Sequence, residues 1–212
     1  MLSVFDLDHT LVKGNSSYRF CKYLFRHKVF PFSTLVYSTL CYWRFKFHGL
    51  SLLELHEKIF RRILQGRTLA SLEAHVDAFL KENLFPFLYK PAYECLRHSQ
   101  KRGDYTVILS NSPQFLVKPI ARFFKVNEWG SSLYAVDKDD RLCHILSLMQ
   151  GEDKARYVAE LASRLGIAKQ DVTVYSDSYL DLPFLLSAGR AVAVNPDKKL
   201  RRYFQERKWN IL

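Results

Sequence analysis

Two carboxylates, Asp6 and Asp8, close the short apolar run Ser3-Val4-Phe5 with one residue between them, and the hydroxyl of Thr10 follows at once. Neighbouring carboxylates repel each other, and Asp is a poor strand former. Such a pair at the carboxyl end of a buried strand asks for a cation or a chemical purpose. In an open α/β sheet that end is where ligands bind. A solvated Asx turn is the plain alternative. The rest of the chain decides between the two, by supplying partners or failing to.

Three later stretches supply them. The apolar strand Val107-Ile108-Leu109 ends in Ser110-Asn111, Gly151-Glu152-Asp153-Lys154 sets a lysine at a helix start, and Tyr175-Ser176-Asp177-Ser178-Tyr179-Leu180-Asp181 ends a strand in two more carboxylates. With Asp6-Leu7-Asp8-His9-Thr10-Leu11 they resemble, in order and over the whole chain, the four motifs of the haloacid dehalogenase (HAD) superfamily of phosphohydrolases.

The resemblance implies a role for each residue. Asp6 is the nucleophile and Asp8 the general acid/base. Ser110 Oγ and the Asn111 N–H hold phosphate oxygens, as backbone N–H groups at a helix start can. Lys154 ties Asp6 to the phosphoryl group, and Asp181 orients Lys154. Mg²⁺ is the implied cofactor, with Asp6, Asp8 and Asp177 as its site. The chemistry is consistent with that assignment. Phosphate monoesters hydrolyse extremely slowly unaided, and a carboxylate nucleophile splits the reaction in two through an aspartyl-phosphate. A carboxylate approaches an anionic phosphate only beside cations, and Mg²⁺ takes oxygen ligands.

The tail Ala193-Val194-Asn195-Pro196-Asp197-Lys198-Lys199-Leu200 is similar to that of the phosphoserine-phosphatase-like branch. In that branch a helical cap sits between the first and second motifs. The expected fold is α/β, a Rossmann-like three-layer parallel-sheet core from residues 1–14 and 91–212 with an inserted all-helical cap over residues 15–90. Phosphoserine phosphatases usually carry a Glu shortly after the first motif to grip the substrate ammonium. Here Leu11 to Ser17 contains no acid, and His9 stands where Gly or Ser is usual. The aromatic, basic first half of the cap and the Ser-Asp-Ser of the fourth motif are also similar to HAD-type phosphatidylglycerophosphatases. The expected substrate is therefore an anionic phosphometabolite or a phospholipid headgroup phosphate, with phosphoserine as the alternative. A phosphotransferase using the same aspartyl-phosphate is a close relative of this reading.

The elements that must position these residues follow from pattern. Asn15-Ser16-Ser17 is an N-cap cluster, Pro31 starts a helix ending near Gly49, and Leu50–Gln65 and Thr68–Asn83 are amphipathic helices divided by Gly66. From Pro91 helices and strands alternate, the signature of a parallel sheet. Helices are expected at Pro91–Arg102, Pro113–Lys125, Glu152–Leu165, Leu180–Ser187 and Asp197–Arg207. Strands are expected at Tyr105–Leu109, Ser132–Val136 with a hairpin partner in 141–149, Val172–Tyr175 and Ala191–Val194.

With 212 residues and 48% apolar content the chain is globular. Cys21, Cys41, Cys95 and Cys143 lie far apart without metal or redox spacing, which reads as reduced structural thiols in a cytoplasmic protein. Asp6 and Asp8 interrupt the apolar start before a signal peptide could form. The net charge of +11 calls for an anionic partner. Gly14 to Gly49 holds Arg19, Lys22, Arg26, Lys28, Arg44 and Lys46 and no acid, and a second basic group lies at Lys198–Lys208. The uncharged run Val29–Trp43 is too short for a membrane span. Either Phe30, Leu35, Tyr37, Leu40 and Trp43 fill the core of a helical bundle, or the run lies peripherally against an anionic membrane surface. No nucleic-acid motif is present, and a non-catalytic basic module binding lipid or nucleic acid would leave the four motif carboxylates unexplained.

Overall fold

The computed structural model describes the backbone of residues 1–212 and every side chain but that of residue 46. Its centre is a sheet of β1 (Leu2–Asp6), β2 (Tyr105–Pro113), β3 (Glu128–Val136), β4 (Leu142–Ser147), β5 (Val172–Ser176), β6 (Arg190–Ala193) and β7 (Asn210–Ile211), in the order β4-β3-β2-β1-β5-β6-β7. All neighbours run parallel except β3 and β4, the expected hairpin. The wholly buried β1 takes the middle. Asp6 stands beside Leu109, and Phe5 beside Tyr175, so the ends carrying Asp6, Ser110 and Ser176 lie level. The chain leaves β1 towards β2 and returns on its other flank as β5. That reversal of direction is where such sheets open a crevice for ligands.

Between β1 and β2 come first α1 (Ser16–Arg26), α2 (Phe32–Phe47), α3 (Leu52–Ile59), α4 (Leu69–Glu73) and α5 (Val76–Asn83). Then come α6 (Lys90–Lys101), α7 (Gln114–Phe124), α8 (Gly151–Arg164), α9 (Leu182–Leu186) and α10 (Lys198–Glu206). The starts obey local chemistry. Asn15 accepts from the Tyr18 N–H at 2.8 Å, Ser51 and Glu54 form a reciprocal capping box, and Asp197 accepts from the Leu200 N–H at 2.8 Å.

Alternation along β1 divides the interior. Leu2 and Val4 join Val107, Leu109 and Val174 in a core closed by Val158, Phe184 and Phe204. Phe5 and Ile108 face the other way, into a core that runs through Leu96 and Phe115 to Phe20 and Phe79 of the inserted helices. Backbone bonds stitch those helices to the sheet: Lys13 N–H to Phe87 O at 2.6 Å, Gly66 N–H to Leu142 O at 2.8 Å and Leu142 N–H to Arg67 O at 2.9 Å.

Several elements depart from the pattern-based expectation. β3 starts at Glu128, not Ser132, because tertiary contacts recruit a stretch of poor strand formers. Glu128 accepts from Tyr105, Tyr157 and Arg164, and Gly130 lies so close under Leu109 that a Cβ would stand 2.8 Å from its methyl. β2 runs past Ser110 to Pro113 through an irregularity in its pairing with β3. The Leu50–Gln65 helix leaves α geometry at Ile59 for a π-helical turn, Phe60–Leu64, and the Thr68–Asn83 helix divides into α4 and α5. The two-residue β7 is too short to carry a period. Among the described residues no helix is long and apolar enough to cross a membrane, and all four cysteines are unpaired.

Candidate active site

Asp6 sits at the carboxyl end of the central strand and is 5% exposed. Its Oδ1 accepts from Lys154 Nζ at 2.7 Å, and the same Nζ donates to Asp181 Oδ2 at 2.7 Å. Lys154 is 1% exposed, on the first turn of α8. It reaches both partners because α8 begins with Gly151. A Cβ there would meet Leu180 O at 2.4 Å and Asp181 Cα at 3.3 Å, so only glycine lets the helix start press against that turn. Ser176 Oγ donates to Asp181 Oδ2 at 2.7 Å and fixes the far side of the bridge.

The charges do not balance. Burial pushes the Asp6 carboxyl up to about 7 against the pull of Lys154, with Asp181 adding to the rise. Burial, then repulsion from Asp6 and Asp181, pushes Asp177 up to about 8. Burial opposes the charge on Lys154, but Asp181 and Asp6 outweigh it and hold the ammonium charged, above its ordinary range. One ammonium thus serves a cluster of three carboxylates. Thr10 Oγ1 adds a 3.4 Å contact to Asp177 Oδ1.

Asp8 adds its charge to the field at Asp6 but makes its hydrogen bonds elsewhere. Its Oδ1 accepts from the Ser16 N–H, the first amide of α1, at 2.6 Å, and its Oδ2 accepts from Ser112 Oγ at 2.7 Å. Ser112 also contacts the hydroxyls of Ser16 at 3.1 Å and Ser17 at 2.7 Å. Among the described residues no three His, Cys, Asp or Glu side chains form a ready metal shell. Asp8 differs from Asp6 and Asp177 in that serine hydroxyls and the α1 amide engage its carboxylate.

At the end of β2, Ser110 Oγ accepts from the Ser112 N–H at 3.1 Å, which leaves its own hydrogen free to donate. Asn111 Oδ1 is the one buried side-chain polar atom without a partner among the described residues. Such an orphan belongs at a site completed by water or ligand. The sequence reading missed Ser112, Ser16 and His56. Burial pushes His56 of α3 down to about 4 against the field of Asp8, and Asp8 likewise bears on Arg19 of α1. Arg19 donates twice to Lys13 O, at 2.9 and 2.7 Å, and its guanidinium lies 3.4 Å from the centre of the Phe87 ring. Serines and a lone histidine are too common for spacing to single out. Only the fold gathers them.

Comparison with known proteins supplies the family. The phosphoserine phosphatase SerB1 of Mycobacterium tuberculosis is 29% identical over 213 residues, covering 98% of this chain and 68% of the relative. The histidinol-phosphatase of Neisseria meningitidis is 24% identical over 216 residues, covering 100% of this chain and 97% of the relative. A Bordetella pertussis protein of unknown function superposes with a TM-score of 0.87 at 26% identity, over 100% of this chain and 97% of its own. A phosphoserine phosphatase solved as a phospho-aspartyl intermediate analogue shares the fold, with a TM-score of 0.69 at 16% identity over 99% and 91% of the two chains. The family model for haloacid dehalogenase-like hydrolases matches residues 3–186, and the chain belongs to that family.

Proposed function

We propose that this chain is a Mg²⁺-dependent phosphomonoesterase working through an aspartyl-phosphate on Asp6. The shared contact of Lys154 with Asp6 and Asp181 carries the reading. It presents one Asp6 oxygen beside a fixed cation at a strand end, where a phosphate dianion would otherwise be repelled. Asp6 attacks phosphorus, and the leaving alkoxide takes a proton from Asp8. Asp8 then draws a proton from the water that hydrolyses the acyl phosphate. Ser16 and Ser112 aim the Asp8 carboxylate, and Lys154, Ser110 and the Asn111 N–H take the phosphoryl oxygens.

Two buried carboxylates that hold protons up to about 7 and about 8 are hard oxygen donors short of a cation, which suits Mg²⁺. Asp6 and Asp177 would hold it, with any share from Asp8 falling to its backbone. Bound there, Mg²⁺ would neutralise phosphoryl charge and let Asp6 stay ionised near neutral pH.

The substrate we favour is an anionic phosphometabolite or a phospholipid headgroup phosphate. The helices over residues 15–90, read as the cap, face the Asp8 side of the site with Arg19. Asn15 stands in the acid-free stretch after the first motif, and its side chain is spent capping α1. Nothing there grips an ammonium, which argues against phosphoserine even though one relative bears that name. Asp6→Asn should abolish turnover of an aryl phosphate, and activity within about tenfold of wild type would refute the assignment. A panel spanning phospholipids and phosphometabolites separates the substrate classes.

A further inference from the structure

Helix α2 is packed inside out. Its most deeply buried residues are Thr34, Ser38 and Cys41. Ser38 returns its hydroxyl to Thr34 O at 2.8 Å, and its Oγ lies 3.9 Å from Cys21 Sγ. Outward stand Phe32, Val36, Leu40, Trp43 and Phe47, each between 49% and 66% exposed. At 3.6 residues per turn these five fall within an arc of roughly 80°, with no polar residue inside it. The core has no use for them. Phe30 is buried and Leu35 and Tyr37 pack against the core, but Leu40 and Trp43 do not join it. An amphipathic helix in water turns the opposite way, and a continuous apolar stripe of this length marks an interaction surface.

Charge identifies the occupant. Lys22 and Arg26 of α1, Lys28 of the turn that follows and Arg44 of α2 itself are exposed, and Gly14 to Gly49 holds no acid. The next acids along the chain, Glu54 and Glu57, belong to α3, and Glu54 lies in the field of Arg44. A second copy docking through the same stripe would press two cationic rims together, so a self-complementary dimer is disfavoured. An anionic bilayer satisfies both features, taking the aromatics into its acyl boundary and the cations among its headgroups. We infer that the outer face of α2 docks this protein on anionic lipid. The surface neighbours the active site: Tyr18 OH bonds Thr39 in mid-α2 at 2.9 Å, two residues along α1 from the Ser16 amide that holds Asp8. Docking does not depend on the phosphatase reading, since the stripe contains no residue placed in the chemistry.

Vesicle sedimentation tests the inference. The probes are phosphatidylcholine vesicles with and without about one-third phosphatidylglycerol, at low and high salt. At low salt the pelleted fraction should be at least about tenfold higher with the anionic vesicles, and high salt should reduce it. The exposed substitutions Leu40→Ser and Trp43→Ser together should abolish the difference while turnover of a soluble aryl phosphate stays unchanged. Equal sedimentation with both vesicle types would overturn the inference. So would a dimer in light scattering that the same pair of substitutions dissolves, because a second copy would then cover the stripe. An inactive protein that still binds anionic vesicles would refute the enzyme reading and leave the docking intact.

Discussion

Helices α2 and α8 each break the usual rule of apolar inside and charged outside, in opposite directions. α8 buries a lysine, and every charge that this demands lies within the chain, 2.7 Å away on Asp6 and on Asp181. α2 buries two hydroxyls and a thiol and leaves five large apolar side chains about half exposed or more. An unusual residue answered from within belongs to a built site. One that is unanswered points to a partner outside. The same sequence feature, a residue type on the wrong face, thus has two readings, and the surroundings choose between them.

The contrast is broken most severely at Lys154. Lys154→Met should leave Asp6 and Asp181 buried without a cation. A loss of about 3–5 kcal/mol is expected in chemical denaturation, with a fall of at least about 10²-fold in kcat. A variant with unchanged stability would show that the carboxylates never relied on this ammonium.

Added Mg²⁺ should come next. Asp6 and Asp177 hold protons in the folded state up to about 7 and about 8, against about 4 when unfolded. Over that interval the folded chain binds more protons, so metal-free stability falls as pH rises from about 4 through about 8. Mg²⁺ competes with those protons, and its stabilisation must grow in the same direction. At a hundredfold excess over Kd it is worth about 2.7 kcal/mol, or roughly 5–10 °C in Tm for a chain of this size. Thermal melts should show the larger shift near pH 8 than near pH 5. The reverse order would contradict the charge deficit.

Gly151→Ala sharpens the α8 side without touching a charge. The new methyl collides with Leu180 O, so the helix start must retreat, at a cost of about 1–3 kcal/mol. Because Lys154 sits three residues on, kcat should fall while KM for an aryl phosphate changes little. The smallest effect belongs to α2. Leu40→Ser or Trp43→Ser should change stability by no more than about 0.5 kcal/mol in a urea titration, since the solvent already reaches both. A loss of several kcal/mol would mean that the stripe packs against this chain after all.

The strand ends were legible in the sequence because chemistry forces them. An apolar run that stops at Asp6, Ser110 or Ser176-Asp177 carries both the strand and its purpose, and Lys154 follows a glycine at a helix start. Glu128 at the head of β3 was not legible, since Glu is a poor strand former and enters here where Tyr105, Tyr157 and Arg164 await its carboxylate. The clamp on Asp8 was hidden too, because Ser16 and Ser112 are 96 residues apart and serine carries no periodic signal. A helix such as α2, with apolar and polar residues mixed around it, does not declare which face is buried. Only packing decides that Thr34 goes in and Trp43 goes out.

The central claim is a covalent bond between Asp6 and phosphorus. Substrate-saturated enzyme can be quenched in acid, reduced with borohydride and digested, so that an acyl phosphate on aspartate is recovered as homoserine by tandem mass spectrometry. Homoserine at position 6, present with substrate and absent without it, is the predicted result. Steady turnover with aspartate unmodified at position 6, or with the label at Asp8 or Asp177 in its place, would contradict the account.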